Sequence, residues 1–162
     1  MFDRAVDLVI SLEGGFVDHP RDPGGATKYG ISQRAFPAVA IINITIAQAK
    51  EHYKNSYWDK MACDKLPHGL DMMVFDMAVN HGVDTAASIL QKILNVTPDG
   101  VIGSATLAAL QGKRVPELIE MVALERHRYY ISSKNWDVFG RGWSKRLLIV
   151  ALMSAFYCKS GV

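Results

Sequence analysis

The segment that decides the fold class lies near the start of the chain. It runs Glu13-Gly14-Gly15-Phe16-Val17-Asp18-His19-Pro20-Arg21-Asp22-Pro23-Gly24-Gly25-Ala26-Thr27-Lys28-Tyr29-Gly30. Its Gly, Pro and Asp content is typical of a loop or a short hairpin. Before it, apolar residues recur at helical spacing from Phe2 to Leu12, which predicts a helix. Because Gly14 and Gly15 favour the geometry of a helix C-terminus, Glu13 is predicted to be the last residue of that helix.

Most of the rest of the chain is predicted to be helical. The spacing of apolar residues, caps and turn residues predicts a short strand at 28–32 and helices over 45–57, 70–82, 84–94, 104–110, 116–133 and 142–157. Thr45 and Gln48 form a capping-box pattern, and Ser104 is expected to cap its helix. The predicted fold class is mainly α, strictly α+β with one small irregular or β segment.

Composition excludes several classes of protein. The chain has 162 residues, 49% of them hydrophobic, and a net charge of +2, which suits one globular domain. Residues 113–162 carry a net charge of +5, but no basic and aromatic residues interleave, so no nucleic-acid partner is expected. The longest apolar stretch is too short to span a bilayer, so no stable membrane insertion is expected. Met1 to Asp7 does not resemble a secretory signal, which favours the cytoplasm.

Metal and thiol chemistry are not favoured. The five His residues are scattered without a His-Glu-x-x-His pattern, so a zinc site is not expected. No other cofactor is expected either. Cys63 and Cys158 lack metal-ligand spacing. They are expected to be buried free thiols, and a bridge between them stays open for an oxidising compartment.

Glu13 is the first candidate for chemistry. At the C-terminus of a helix, a carboxylate faces the negative end of the helix dipole, which favours its protonated form. A protonated Glu is what a general acid requires. A solvated surface Glu is an equally good explanation of this residue on local grounds.

A second group is needed if the segment cleaves a glycosidic bond. One group protonates the leaving oxygen, and the other stabilises the cationic sugar or activates water. Asp22 and Thr27 follow Glu13 by 9 and 14 residues and are the candidates, with Asp18 as the alternative carboxylate. Ordinary turn chemistry explains each of the three equally well.

Several stretches together resemble one family. Glu13-Gly14-Gly15-Phe16 and Asp22-Pro23-Gly24-Gly25-Ala26-Thr27-Lys28-Tyr29-Gly30-Ile31 are similar to glycoside hydrolase family 108, which comprises N-acetylmuramidases, many of them phage endolysins. The second half resembles the peptidoglycan domain of these proteins. The stretches that carry this are Phe75-Asp76-Met77-Ala78-Val79-Asn80-His81-Gly82, Asp99-Gly100-Val101-Ile102-Gly103, Thr106-Leu107 and Gly142-Trp143 with Arg146.

The resemblance implies a fold and an activity. It implies a lysozyme-like, two-lobed single domain, with residues 1–66 as the catalytic region and 67–162 as a helical lobe that shares its core. It implies cleavage of the β-1,4 bond between N-acetylmuramic acid and N-acetylglucosamine of peptidoglycan, with Glu13 as the general acid. In similar phage muramidases the gap between Asp and Thr is one residue longer than that between Asp22 and Thr27, so Asp18 stays in reserve. A monomer, released to the wall through a holin-type membrane protein, is also implied.

Further residues are candidates for binding the sugar. They are Asp18, Lys28, Tyr29, Tyr57, Trp58, Asp76 and Asn80. Aromatic residues at a helix end are more often core than stacking platforms, and a buried hydrogen-bonded pair explains Asp76 and Asn80 slightly better than a sugar contact. Three other functions stay open, namely a lytic transglycosylase, a chitinase-like hydrolase and a non-catalytic wall-binding module.

Overall fold

The structure, a computed structural model, describes residues 1–16, 25–35, 37 and 39–160, and of Ser160 only the backbone. Its helices are α1 (Phe2–Glu13), α2 (Ile46–Tyr53), α3 (Leu70–His81), α4 (Val83–Ile93), α5 (Ser104–Ala109), α6 (Val115–Ile131) and α7 (Trp136–Ser160). A π-helical turn, Lys54–Trp58, continues α2, and 3-10 turns occur at Ile41–Asn43 and Cys63–Lys65. The mainly α fold class is confirmed.

The only sheet in the described part of the chain is a hairpin. Strands β1 (Thr27–Lys28) and β2 (Ile31–Ser32) pair antiparallel, with Thr27 opposite Ser32 and Lys28 opposite Ile31. The prediction of one continuous strand over 28–32 was wrong. Tyr29 and Gly30 both have positive φ (54° and 77°), which makes a two-residue turn of the kind that matches strand twist.

Helix α3 is the centre of the core. Every residue from Leu70 to Ala78 is buried, including Asp71 and Asp76, so this helix is enclosed by protein on all sides. It packs against α1, α4, α6 and α7. At its start the chain passes so close to α7 that a Cβ on Gly69 would collide with the Ser154 carbonyl oxygen. The buried cluster continues from Ala5 in α1 to Val150 in α7.

Local signals placed most helix ends correctly. The capping box of α2 is present, since the Thr45 Oγ1 accepts from the Gln48 N–H at 3.2 Å and the Gln48 Oε1 accepts from the Thr45 N–H at 2.9 Å. Two predictions were wrong in detail. Gly103, not Ser104, occupies the N-cap of α5, and α7 begins at Trp136 rather than Gly142.

The prediction of free thiols has a structural outcome. Cys63 and Cys158 are free thiols, and only Cys63 is fully buried. No helix in the described ranges is sufficiently long and apolar to cross a bilayer.

Candidate active site

Glu13 occupies the end of α1, as predicted. Ala5, Val6 and Val9 bury one face of this helix against the core, and Gly14 ends it with a φ of 84°. The Glu13 side chain is 24% exposed, so its carboxylate is neither enclosed nor fully solvated. A partly exposed carboxyl group can reach a polymer that lies across the surface.

The hairpin turn packs directly on Glu13. A Cβ added to Gly30 would lie 2.6 Å from Glu13 Cγ and 2.5 Å from the Tyr53 hydroxyl oxygen, so only glycine fits here. The Tyr53 hydroxyl donates to the Tyr29 carbonyl at 2.8 Å, which fixes the turn against α2. Burial, together with the negative charge of Glu13, raises the pKa of Tyr53 well above its usual value, so Tyr53 acts as a neutral hydrogen-bond donor.

Arg146 of α7 is the cation of the site. Its Nη1 donates to Glu13 Oε1 at 2.6 Å, and its Nε donates to Asp76 Oδ1 at 2.9 Å. Its Nη2 lies 2.8 Å from the same Asp76 oxygen. Burial alone lowers the pKa of Arg146, but the Asp76 and Glu13 carboxylates outweigh that effect and raise it above its usual value. Arg146 therefore supplies a permanent positive charge where the helix end supplies a negative field.

Asp76 connects this pair to a second arginine. The Asp76 side chain is 1% exposed, and its Oδ2 accepts from Arg126 Nη2 at 2.7 Å. Arg126 also donates to the Tyr130 hydroxyl at 3.1 Å, and that hydroxyl donates to Asn80 Oδ1 at 2.8 Å. A buried carboxylate between two guanidinium groups is held in one orientation, which also fixes Arg146.

These contacts correct two of the predicted sugar contacts. Asp76 is buried beneath Arg146 and reaches Glu13 only through it. Trp58 is 1% exposed, and its indole N–H donates to Asp64 Oδ1 at 2.8 Å, so its ring belongs to the core and is not accessible for stacking. Asn80 is partly buried and bonded to Tyr130.

The remaining candidates lie nearer the surface. Thr27 is partly buried, and its hydroxyl makes one long contact of 3.5 Å with the Gly25 carbonyl. Lys28 donates to the Ile42 carbonyl at 2.7 Å and lies over the Tyr29 ring. Tyr57 packs on Tyr53, and burial together with the charge of Glu13 raises the pKa of Tyr57. Asp18 and Asp22 lie outside the described residues.

Sequence analysis missed the role of Arg146. It belonged to the Gly142-Trp143 stretch of the family resemblance, but 133 positions separate it from Glu13, and no local pattern joins them. The sequence feature that could have indicated a role for Arg146 was its place within that family-like stretch. Among the residues that the structure describes, no group of three His, Cys, Asp or Glu side chains is arranged to hold a metal ion.

A concave region away from Glu13 lies between α4 and α5. It has a volume of about 460 Å³ and is lined by polar and apolar residues, among them Gln91, Asp99 and Val101. The buried Gln91 amide donates to Asp99 Oδ1 at 2.6 Å and to the Val101 carbonyl at 3.0 Å, and it accepts from the Gly100 N–H. These bonds fix the Asp99-Gly100-Val101 turn. The family-like residues of this turn therefore have a structural role.

Comparison with known proteins assigns the family. The family model for glycosyl hydrolase 108 matches residues 6–82, and that described as Predicted Peptidoglycan domain matches residues 85–148. The structure of Brucella abortus SagA is 35% identical, with a TM-score of 0.88, over 97% of this chain and 95% of that one. The chain belongs to glycosyl hydrolase family 108. No curated protein sequence matches it.

Family membership settles the coarse activity and fold. This family-108 protein is a lysozyme-like glycoside hydrolase that acts on peptidoglycan. Its Glu13, Gly30, Tyr53 and Asp76 all lie within the part matched by the hydrolase model. Arg146 lies in the part matched by the peptidoglycan domain. The site is therefore built from both matched regions.

Proposed function

We propose that this protein is a muramidase that hydrolyses the β-1,4 bond between N-acetylmuramic acid and N-acetylglucosamine, with Glu13 as general acid. The observation that carries the proposal is the position of Glu13, a partly exposed carboxyl group held at a helix end by the Arg146 guanidinium and by the hairpin turn. Arg146 contacts Oε1 and fixes the rotation of the carboxyl group. We assign proton transfer to the other oxygen, Oε2.

The proposed reaction begins with protonation of the leaving oxygen by Glu13. As the glycosidic bond breaks, positive charge develops on the sugar that retains the anomeric carbon. Asp22 stabilises that charge or, with the Thr27 hydroxyl, positions the water that completes hydrolysis, and Asp18 is the alternative carboxylate. Glu13 then regains its proton from that water. Lys28, Tyr29, Tyr57 and Asn80 are proposed to line the glycan path, and no cofactor is assigned.

The domain and cellular assignments belong to the same proposal. Residues 1–66 form the catalytic region and 67–162 a helical lobe that contacts the glycan, with one shared core. The protein is a monomeric phage-type endolysin. It accumulates in the cytoplasm of the producing bacterium and reaches the wall through a holin-type protein, where it causes bacteriolysis.

Product analysis tests the reaction. Purified peptidoglycan is digested with wild type and with Glu13→Gln, and the released fragments are identified by mass spectrometry. We expect reducing N-acetylmuramic acid ends from wild type and at least about a 1000-fold slower release from Glu13→Gln, since an amide cannot donate the proton. Glu51→Gln, an exposed change of the same type on α2, is the control and should keep full activity.

Other products would overturn the proposal in distinct ways. Anhydro ends, with activity retained in Asp22→Ala, would identify a lytic transglycosylase, which uses one Glu and no essential Asp. Release from chitin oligomers in place of peptidoglycan would identify a chitinase-like enzyme. Binding to peptidoglycan without release of any fragment by folded wild type would identify a binding module.

A further inference from the structure

The outward face of α7 carries an exposed apolar stripe. Leu148, Leu152 and Phe156 recur at intervals of four residues and are 64%, 71% and 60% exposed. On the neighbouring α6, Leu124 is 57% exposed and Met121 44% exposed. A groove of about 310 Å³ between the two helices is lined mainly by apolar groups, among them Leu124 and Leu148. The lining also includes Glu120, His127 and Ser144. Clusters of exposed apolar side chains of this kind mark interaction surfaces.

Basic residues occupy both ends of this stripe. Arg141 and Lys145 precede Leu148, Lys159 follows Phe156, and all three basic residues are exposed. At 100° per residue, the stripe from Arg141 to Lys159 occupies about 80° of the helix circumference. After Asp137, the helix contains no acidic residue. The surface that covers this stripe must therefore accept apolar side chains at its centre and cations at its ends.

These charges argue against a second copy as the occupant. An antiparallel pairing of two α7 helices centred on Leu152 would place Lys145 against Lys159 of the second copy at both ends. A parallel pairing would place each basic residue beside its own equivalent. Either arrangement brings cations together where the apolar contact would form, which is unfavourable. The charges along α7 thus favour a partner with negative charge over a second copy.

The shape of the stripe favours a lipid surface over a folded protein. The stripe extends beyond the groove, since Leu152 and Phe156 are exposed but do not line it. A bilayer interface accepts such side chains directly, whereas a folded protein partner would need a matching cleft for them. Lys and Arg at the ends of an apolar helix face reach anionic headgroups with their long side chains. Arg146, which contacts Glu13, lies about 120° around the helix from this stripe. The stripe and the candidate active site therefore occupy different sides of α7.

We propose that the outward face of α7, from Arg141 to Lys159, binds the surface of membranes rich in anionic phospholipid, with Leu148 and Leu152 in the interface and the candidate active site directed away from the lipid. The protein lies on the bilayer and does not span it. This adsorption would hold the enzyme in the narrow space between a membrane and the glycan. The proposed membrane binding does not depend on which bond the enzyme cleaves.

Vesicle sedimentation with the full chain tests this proposal. Vesicles of phosphatidylglycerol mixed with phosphatidylcholine are compared with vesicles of phosphatidylcholine alone. We expect binding to the anionic vesicles that weakens as salt is added, and at least about tenfold weaker binding to the neutral ones. Leu148→Gln/Leu152→Gln should reduce the affinity for anionic vesicles at least about tenfold. Lys145→Gln/Lys159→Gln should reduce it by a similar factor and flatten the salt dependence.

A matched control separates this face from general stickiness. Ile46→Gln/Val101→Gln replaces two apolar residues of similar exposure, 50% and 64%, outside α6 and α7 and should bind as wild type does. Circular dichroism confirms that each variant is folded. Unchanged binding of the Leu148→Gln/Leu152→Gln protein, equal binding to both kinds of vesicle, or no binding by wild type would each overturn the proposal. A wild-type dimer that this variant dissociates would also overturn it and assign the face to a second copy.

Discussion

Arg146 contacts Glu13 and Asp76 at the same time, through Nη1 at 2.6 Å and Nε at 2.9 Å. Asp76 is buried on the inner side of the guanidinium, and Glu13 is partly exposed on its outer side. A planar guanidinium can make both contacts because its donors point in fixed, separate directions. The position of the candidate acid is therefore set by a carboxylate in the core.

Arg146→Lys is expected to lower the turnover number at least about tenfold with a smaller change in KM. One ammonium group cannot reach both carboxylates in the geometry of the guanidinium, so Glu13 loses its fixed orientation. Steady-state rates of peptidoglycan release measure the effect. Arg114→Lys, an exposed change just before α6 and outside the proposed binding surfaces, is the control. An unchanged turnover number would show that Glu13 does not need this contact.

Asp76→Asn is expected to reduce the free energy of unfolding by about 3–5 kcal/mol, because it leaves the buried Arg126 and the mostly buried Arg146 without the carboxylate between them. Urea denaturation measures the change.

The matched control for this prediction is Asp71→Asn, in the same helix and equally buried at 1%. Asp71 Oδ1 accepts from the Gly69 and Met72 N–H groups, and an amide oxygen can replace it there. Asp71 Oδ2 lies 3.2 Å from Nδ1 of His68, which is 52% exposed, so loss of that contact leaves no buried charge unpaired. Burial also raises the pKa of Asp71, so a neutral side chain fits this position better. Equal losses of stability in the two variants would contradict an essential charge on Asp76.

Gly30→Ala is expected to abolish most activity and to reduce the free energy of unfolding by about 2–4 kcal/mol. The new methyl group would collide with Glu13 and Tyr53, and the alanine backbone would have to keep a positive φ. Gly112→Ala is the control because Gly112 has a similar φ of 72° but nothing within 4 Å of the added Cβ. It should cost only about 1–2 kcal/mol and keep full activity. Activity and thermal melting of the pair therefore separate backbone strain from the contact with Glu13. Equal activity in the two variants would contradict this role for the turn.

Acid is expected to destabilise the fold through His81. Burial, with the nearby Arg126 charge, lowers the pKa of His81 from 6.5 to about 4. Between these values the unfolded chain binds more protons than the folded one, so stability falls as the pH falls from 6.5 towards 4. From pH 7 to pH 4.5, wild type should lose on the order of 2 kcal/mol more than His81→Gln does in urea denaturation. His127→Gln, at an exposed position, should behave as wild type; a wild type no more acid-sensitive than His81→Gln would refute the assignment.

The sequence predicts those parts of the fold that depend on neighbouring residues. The capping box at Thr45 and the end of α1 at Glu13 follow from two or three adjacent side chains, and both are confirmed. The start of α7 was misplaced because Gly140 and Gly142 indicate a break. In the structure, Gly140 instead makes room for the Trp136 ring, which a Cβ would meet at 2.6 Å. That contact exists only in the folded helix, so no local sequence pattern predicts it.

The candidate site was predictable only in part, for the same reason. Glu13 has a local signature, but its cation and the carboxylate beneath it come from α7 and α3. Tertiary packing alone brings these three elements together. The roles of Asp22, Asp18 and Thr27, and the division of the chain at residue 66, stay predictions.

The origin of Arg146 limits how this protein can be recombined. A chimera that joins residues 1–82 to an unrelated cell-wall-targeting segment would keep Glu13 and Asp76 but lose the guanidinium between them. The two regions matched by separate family models are thus not interchangeable modules. Exchange of the second region among relatives will preserve the site only when the new helix carries an arginine at the position equivalent to Arg146 and on the same helix face.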